Sequence, residues 1–434
     1  MADLAERLSH TPVGMVPMGG FNTTDRTLLD SEEVATARQA STADGGWVEI
    51  GGRLRLGFTV KPTPRLTWRF EPGDAAGSSI AIDEPVSIRC RLPHTRELEL
   101  GTTEFPWIGA GAASFRGIIP DCEPEGDVDV VAVRFSVLNW GDVFGTSTIR
   151  DGESRSVWTG RHQWSSDGWQ ITLDADPDLR QKWEDAKDDR GFLVSHCGRL
   201  TRTDGQPFRF SDAIEILGCV HWFLSFVKGR RVGVSLASGF VDDPGHQSQQ
   251  EPLITHWDVT QVDEAAVALS WFTRGIEDEL DDLFKSFHDI WRNDQRLAVQ
   301  LRLMISAYCV ALDQSIPIDM QVVSGYIGLE TETTKNLNKQ KLKSILACYD
   351  LPDRISDTVH GSGQEFSGSK LLAETRNAIV HHTNDRYPNL ERLSRARKTC
   401  LYFMELLILR KLGHEGTFLD RFHATWVGTR SDMP

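Results

Sequence analysis

Between Gly46 and about Val267 the apolar positions come in short runs that alternate with polar residues at the period of a strand. "WVEI", "RLRLGFTV", "RLTWRF", "PVSIRC", "VDVVAVRFSVLNW" and "DGWQITLDA" are rich in β-branched and aromatic residues and bounded by Gly, Pro, Asp or Ser. Turn signals separate them, among them "IGGR" at Ile50 and "EPGDAAGSS" at Glu71. One stretch breaks the pattern. In "FSDAIEILGCVHWFLSFVKG", Ile214, Leu217, Val220, Phe223, Leu224 and Val227 recur at helical spacing, behind Ser211 as N-cap and ahead of Gly229 as C-cap. Two more strand-like runs, "RVGVSLASGFV" and "ITHWDVTQV", follow. The pattern predicts an antiparallel, sandwich-like β domain with one helix packed on it. "FPWIGAGAASFRGIIPD", Phe105 to Asp121, reads as a loop that covers this domain or meets a partner.

After Trp271 the period becomes helical. Helices are predicted over 278–293, 295–313, 318–330, 339–349, 369–382 and 389–412, with "LPDRISDTVHGSGQEFSGS" as an extended loop before the fifth. The fold class is therefore multidomain, α and β. An irregular polar arm covers 1–40, the β domain 41–272 and an all-α helical bundle 273–434.

Composition narrows the setting. Of the 434 residues 40% are hydrophobic and 25% charged, the balance of a globular chain. The most apolar run, "AIEILGCVHWFLSFV", is shorter than the ~20 residues that span a bilayer and contains Glu215 and His221. The seven cysteines are scattered without a CxxC pair. That pattern predicts a reducing cytoplasm, no membrane partner and no zinc ribbon, and no metal or cofactor is assigned. Net charge is −15, which argues against a general nucleic-acid binder. The charge is uneven: Thr331 to Pro434 holds 16 Lys+Arg against 12 Asp+Glu. Lys335, Lys339, Lys341 and Lys343 form one basic cluster, and Arg392 and Arg395 belong to a second. These clusters are either solvated helix faces or a phosphate-contacting surface.

The fifth predicted helix carries unusual chemistry in "AETRNAIVHHTND". At about 100° per residue, Leu371, Leu372, Thr375, Ala378, Ile379 and His382 share one face as its core side. Arg376, Val380, Ala373, Asn377 and His381 form the opposite wall, with Arg376 and His381 roughly 140° apart. Histidine moves protons near neutral pH, arginine braces a phosphate with two donors, and asparagine can orient either. Such a set suits phosphodiester cleavage without a metal. The structural alternative pairs Arg376 with Glu374 or an acid elsewhere and leaves His381 and His382 to cap the helix. Twelve of the thirteen tryptophans lie at or before Trp291, so a carbohydrate-binding sandwich with a helical tail is a further alternative.

"RNAIVH", Arg376 to His381, resembles the Arg-x4-His motif of HEPN domains, including the polar residue after the arginine. Glu330, closing "IDMQVVSGYIGLE", looks like the acidic position on an earlier HEPN helix. The β-rich region with "WFLSFVKGRRVGVSLASGF" is similar to the N-terminal part of ApeA-like HEPN proteins, a group implicated in anti-phage defence. The resemblance implies a homodimeric, metal-independent endoribonuclease that leaves cyclic phosphate ends. His381 would be the general acid or base, Arg376 would stabilise the phosphorane, Asn377 would position both, and Glu330 would support them. RNA is the implied substrate, and a phage-derived or cellular trigger the implied partner of the β domain. The rival reading is a non-catalytic HEPN dimerisation module with a ligand- or protein-binding β domain.

Overall fold

The computed structural model describes the strands lying between residues 9 and 118, and residues 126–141, 147–150, 157–188, 191–242, 252–266, 277–333, 336–356, 365–381, 387–419, 422 and 430–433. The protein combines helices with antiparallel sheet. It divides into two compact units. The first comprises residues 1–163, 168–218 and 233–266, and the second 164–167, 219–232 and 267–434.

The first unit holds two eight-stranded sheets. One contains β2 (Arg26–Leu29), β3 (Val34–Ala40), β4 (Trp47–Thr59), β5 (Arg65–Pro72), β6 (Val86–Arg91), β7 (Glu97–Gly101), β8 (Trp107–Gly109) and β9 (Ala112–Ile118). Its order is β7-β6-β3-β4-β5-β9-β8, with β2 also on β4. Three expectations change here. The segment taken as an arm supplies β2 and β3, the latter paired on both edges, with β4 and β6. "IGGR" is not a turn: Gly51 and Gly52 lie inside β4, opposite Thr36 and Ala35. A glycine signals a turn only where the chain is free to bend, and a flanking strand removes that freedom. The expected loop at Phe105–Asp121 is the hairpin β8–β9.

The other sheet contains β1 (Ser9–His10), β11 (Ala132–Leu138), β12 (Ser147–Arg150), β13 (Val157–Ser166), β14 (Trp169–Ala175), β15 (Val194–Arg202), β17 (Gly233–Phe240) and β18 (Ile254–Val259). It runs β1-β12-β13-β14-β15-β11-β17-β18. β10 (Asp129–Val130) and β16 (Phe208–Arg209) form a separate ribbon. Central β11 is buried along its whole length. Val133, Phe135 and Val137 supply one apolar face, while Arg134 and Ser136 lie on the other, level with Arg199 and Cys197 of β15. Arg161 grips Asp174 through two 2.6 Å hydrogen bonds. A short helix not anticipated from the pattern, α1 (Leu179–Asp188), buries Leu179, Trp183 and Ala186 at i, i+4 and i+7. The described tryptophans of this unit whose burial is resolved, Trp140, Trp169 and Trp183, are all buried, which counts against a sugar-stacking surface.

Helix α2 (Phe210–Lys228) forms where its spacing predicted it. It is long and apolar enough to cross a membrane, but two-thirds of its most apolar window is buried inside the protein, as in a core helix. Its residues up to Gly218 belong to the first unit and those from Cys219 to the second. In the second unit Phe223 packs on Trp164, Phe284 and Phe287.

That unit contains α3 (Glu277–Asn293), α4 (Gln295–Leu312), α5 (Ile318–Glu330), α6 (Lys339–Cys348), α7 (Gly368–Val380) and α8 (Leu390–Lys411). It is not all-α. β19 (Arg354–Ser356) pairs with β20 (Glu365–Ser367), and β21 (Thr417–Leu419) with β22 (Arg430–Asp432). Runs of three residues are too short to show a strand period, and the first ribbon lies where the pattern predicts an extended loop. Close packing of α5 depends on two glycines. A Cβ on Gly325 would stand 2.6 Å from that of Cys400, and one on Gly328 would stand 2.7 Å from Met404 Sδ and 2.9 Å from Ala307 Cβ. Nothing larger than hydrogen fits where α5 meets α8 and α4.

Candidate functional site

Helix α7 starts from a fixed anchor. Ser367 is its N-cap, and the Asp353 carboxylate accepts hydrogen bonds from Ser367 Oγ (2.8 Å) and the Ser369 amide (2.9 Å). Burial pushes the Asp353 carboxyl up, but hydrogen bonds from Ser369 and Ser367 outweigh it, with the Lys343 ammonium adding to them. The carboxyl is held below its ordinary range, as suits an anion at a helix N-terminus. Leu372 and Thr375 are fully buried, while Leu371, Ala378 and Ile379 are half-buried, so the core face is narrower than the wheel suggested.

The helix ends at Val380, two residues before the expected end. His381 is the C-cap residue, with φ −98° and ψ 20°, and its amide donates to Asn377 O at 2.9 Å. The sequence that follows, Thr383-Asn384-Asp385, is made of residue types that disfavour a helix interior. His382, placed on the core face by the wheel, lies outside the described residues. The His381 side chain is exposed, as are Asn377 and Val380.

Arg376 is half-buried, its guanidinium 5.7 Å from the centre of the Tyr326 ring. Its Nη1 donates to Asn377 Oδ1 at 3.3 Å. The Tyr326 hydroxyl donates to Leu337 O (2.7 Å), and the Leu337 amide donates to Glu330 Oε1 (2.8 Å). Burial raises the Tyr326 phenol above its ordinary value; the Arg376 guanidinium opposes that shift and the Glu330 carboxylate adds to it. Glu330 thus holds the α5–α6 connection beneath the phenol, and among the described residues no ion pair joins it to Arg376. Tyr326 escaped the sequence reading, although its position one turn before Glu330 was the available signal.

The alternative partner for Arg376 is otherwise engaged. Glu374 pairs with Arg392 Nη2 at 3.2 Å and with Lys370 at 3.9 Å. Arg392 Nε also donates to Thr375 Oγ1 at 3.1 Å, so this arginine clamps α7 to α8. Arg395 pairs with Glu391 at 3.2 Å and lies over Phe366. Lys341 donates to Asn336 O at 2.6 Å. Lys339 and Lys343 are exposed, and Lys335 lies outside the described residues. The basic clusters therefore serve the packing of this unit at Arg392, Arg395 and Lys341. Among the described residues no three His, Cys, Asp or Glu side chains stand where they could hold a metal ion.

What the site offers chemically is a guanidinium steadied by an aromatic face, an amide beside it and an exposed imidazole at the helix end. The apolar Val380, one turn after Arg376 and next to His381 in the sequence, is 48% exposed.

Residues 125–265 match the sequence model of the YopA central domain, and residues 322–432 match that of the YopA C-terminal domain. The second match contains α7 and the candidate site. The chain is also 25% identical, over 68% of its length, to the SPbeta prophage-derived uncharacterized protein YopA of Bacillus subtilis (strain 168), covering 69% of that protein. No solved structure matches.

Proposed function

We propose that the helical unit is a HEPN-type, metal-independent endoribonuclease and that the β-rich unit, built as a sandwich, is its sensor. The observation that carries this reading is the Arg376–Asn377–His381 constellation: Arg376 is steadied over Tyr326, and His381 is exposed at the end of the same helix. In this reading the RNA 2′-hydroxyl attacks the adjacent phosphate and displaces the 5′-oxygen of the next nucleotide, leaving a cyclic phosphate and a 5′-hydroxyl. His381 exchanges the proton, Arg376 meets the growing charge on the phosphorane, and Asn377 holds Arg376 in line. Glu330 acts from a distance, by fixing Leu337 beneath Tyr326. The prophage origin of the similar Bacillus subtilis protein fits a role in conflict between phage and host, with a phage-derived or cellular trigger on the β-rich unit of a cytoplasmic protein. The test is incubation of the purified protein with total RNA in EDTA, followed by end-group analysis. Cyclic phosphate or 3′-phosphate ends are expected; cutting that needs magnesium and leaves 3′-hydroxyl ends rejects the reading.

A non-catalytic dimerisation module is the second reading, and the exposed Val380 beside Arg376 favours a dimer in either case. We expect α7 to meet its copy across the Val380/Ala373 strip, bringing Arg376 and His381 of two chains around one cleft. Val380→Glu should give folded monomers by light scattering that no longer cut RNA, since this position is already half in solvent. Monomers with full nuclease activity would rule out the shared cleft.

A further inference from the structure

A second cluster lies in the helical unit, on residues that play no part in the candidate site. Arg302, exposed on α4, lies over Trp222 of α2 at 5.6 Å and over Trp291 of α3 at 5.7 Å. Both indoles are half-buried. One turn along α4, Ser306 Oγ accepts from Arg231 Nη2 at 3.0 Å. The buried His221 imidazole adjoins the same group, its ring 4.9 Å from that of Trp222. Burial lowers the His221 pKa to about 4, and Arg231 and Arg302 both push in that direction, so the two guanidinium charges lie near this neutral ring. Among the described residues Arg302 has no carboxylate partner.

An arginine on a surface helix normally samples many rotamers and loses that freedom on binding. Contact with two aromatic faces removes the cost in advance while leaving the in-plane N–H edge for an acceptor. A planar fork held this way matches the paired oxygens of a phosphate, and the neighbouring Arg231 strengthens the local field. The overall charge of the chain, −15, would not draw in a free anion from a distance, so the ligand is brought here by contacts elsewhere.

We propose that Arg302, braced by Trp222 and Trp291, with Arg231 beside it, is a phosphate-binding subsite for the backbone of single-stranded RNA. The inference deepens the ribonuclease reading, giving the substrate a second anchor. On α5 the residues that face α4, Ser324 and Gly328, point away from Tyr326, over which Arg376 sits. Arg302 and Arg376 therefore address different stretches of one strand, and a substrate long enough to touch both is held better than a dinucleotide.

The test uses the full chain and a fluorescent single-stranded RNA of about 20 nucleotides with 2′-O-methyl sugars, which cannot be cut by 2′-hydroxyl attack. Arg302→Ala should weaken binding about tenfold, the scale of one charged hydrogen-bonded contact, and should lower the salt dependence by about one phosphate. Arg302→Lys, which keeps the charge but not the planar fork, should recover only part of the affinity. Trp222 and Trp291 fluorescence should change on titration with this RNA and not with a neutral peptide-nucleic-acid strand of the same sequence. Single-stranded DNA should bind similarly, because the contact is to phosphate. Unchanged affinity and salt slope in Arg302→Ala would overturn the subsite, as would a variant that differs from the parent only in melting temperature. The two ideas fail separately. RNA cut in EDTA by a chain whose Arg302→Ala form binds normally removes the subsite alone, whereas Arg302-dependent binding without any cutting removes the nuclease alone.

Discussion

His381→Ala is expected to slow RNA cleavage by about 100- to 10,000-fold, the range of general acid–base catalysis, while leaving thermal unfolding unchanged. Stability and activity separate here because of where the side chain sits. The link of His381 to α7 is its backbone amide on Asn377 O, which alanine keeps, and its imidazole is exposed. Arg376→Ala should lose comparable activity but also loosen the packing on Tyr326, so it is the less clean probe. Single-turnover rates on a defined RNA, read beside melting curves, make the comparison. Near-normal cutting by folded His381→Ala would remove this residue from the mechanism, whatever Arg376→Ala did.

Lys411→Met should destabilise the protein by about 3–5 kcal/mol, the cost of leaving a buried charge without its partner. Lys411 ends α8, its Nζ 3.0 Å from Glu332 Oε2 and 2.7 Å from the Tyr349 hydroxyl. The two charged side chains are 4% and 5% exposed. Glu332 Oε1 finds no hydrogen-bond donor among the described residues, so Lys411 carries most of the compensation. The triad joins the C-terminal ends of α5, α6 and α8, and through Glu332 it fixes the start of the segment that brings Leu337 to Tyr326. Urea denaturation measures the loss. The double change Lys411→Met with Glu332→Leu should recover most of it, because apolar replacement of both partners removes the uncompensated charge. A single variant within about 1 kcal/mol of the parent would show that water already reaches the carboxylate.

Much of the candidate site was legible because its parts are close in sequence. Arg376, Asn377 and His381 fall within six residues, and helical spacing alone separates them from the core side at Leu372 and Thr375. What completes the site comes from residues 40 to 50 positions earlier. Tyr326 supplies the face under Arg376, and Glu330 holds Leu337 rather than Arg376. No local pattern reports such contacts. The basic clusters show the opposite limit: charge counting found Arg392 and Arg395, but only packing revealed that they bind Glu374, Thr375 and Glu391 within the unit.

Periodicity determined the kind of each long element. It placed α2 and the helices from α3 to α8 to within about two residues, because a buried stripe must recur every 3.6 residues wherever the helix packs. Tertiary structure decided the rest, where the local signal is weak or satisfied in more than one way. Gly51 and Gly52 can bend or extend, and pairing with β3 extends them. The ten-residue α1 shows too little of a stripe to stand out, and needs the surface that buries Trp183. Apolar residues surround α2, so its pattern could not say that its second half belongs with the helical unit. That assignment follows from Phe223 finding Phe284 and Phe287, a match of surfaces that no linear period encodes.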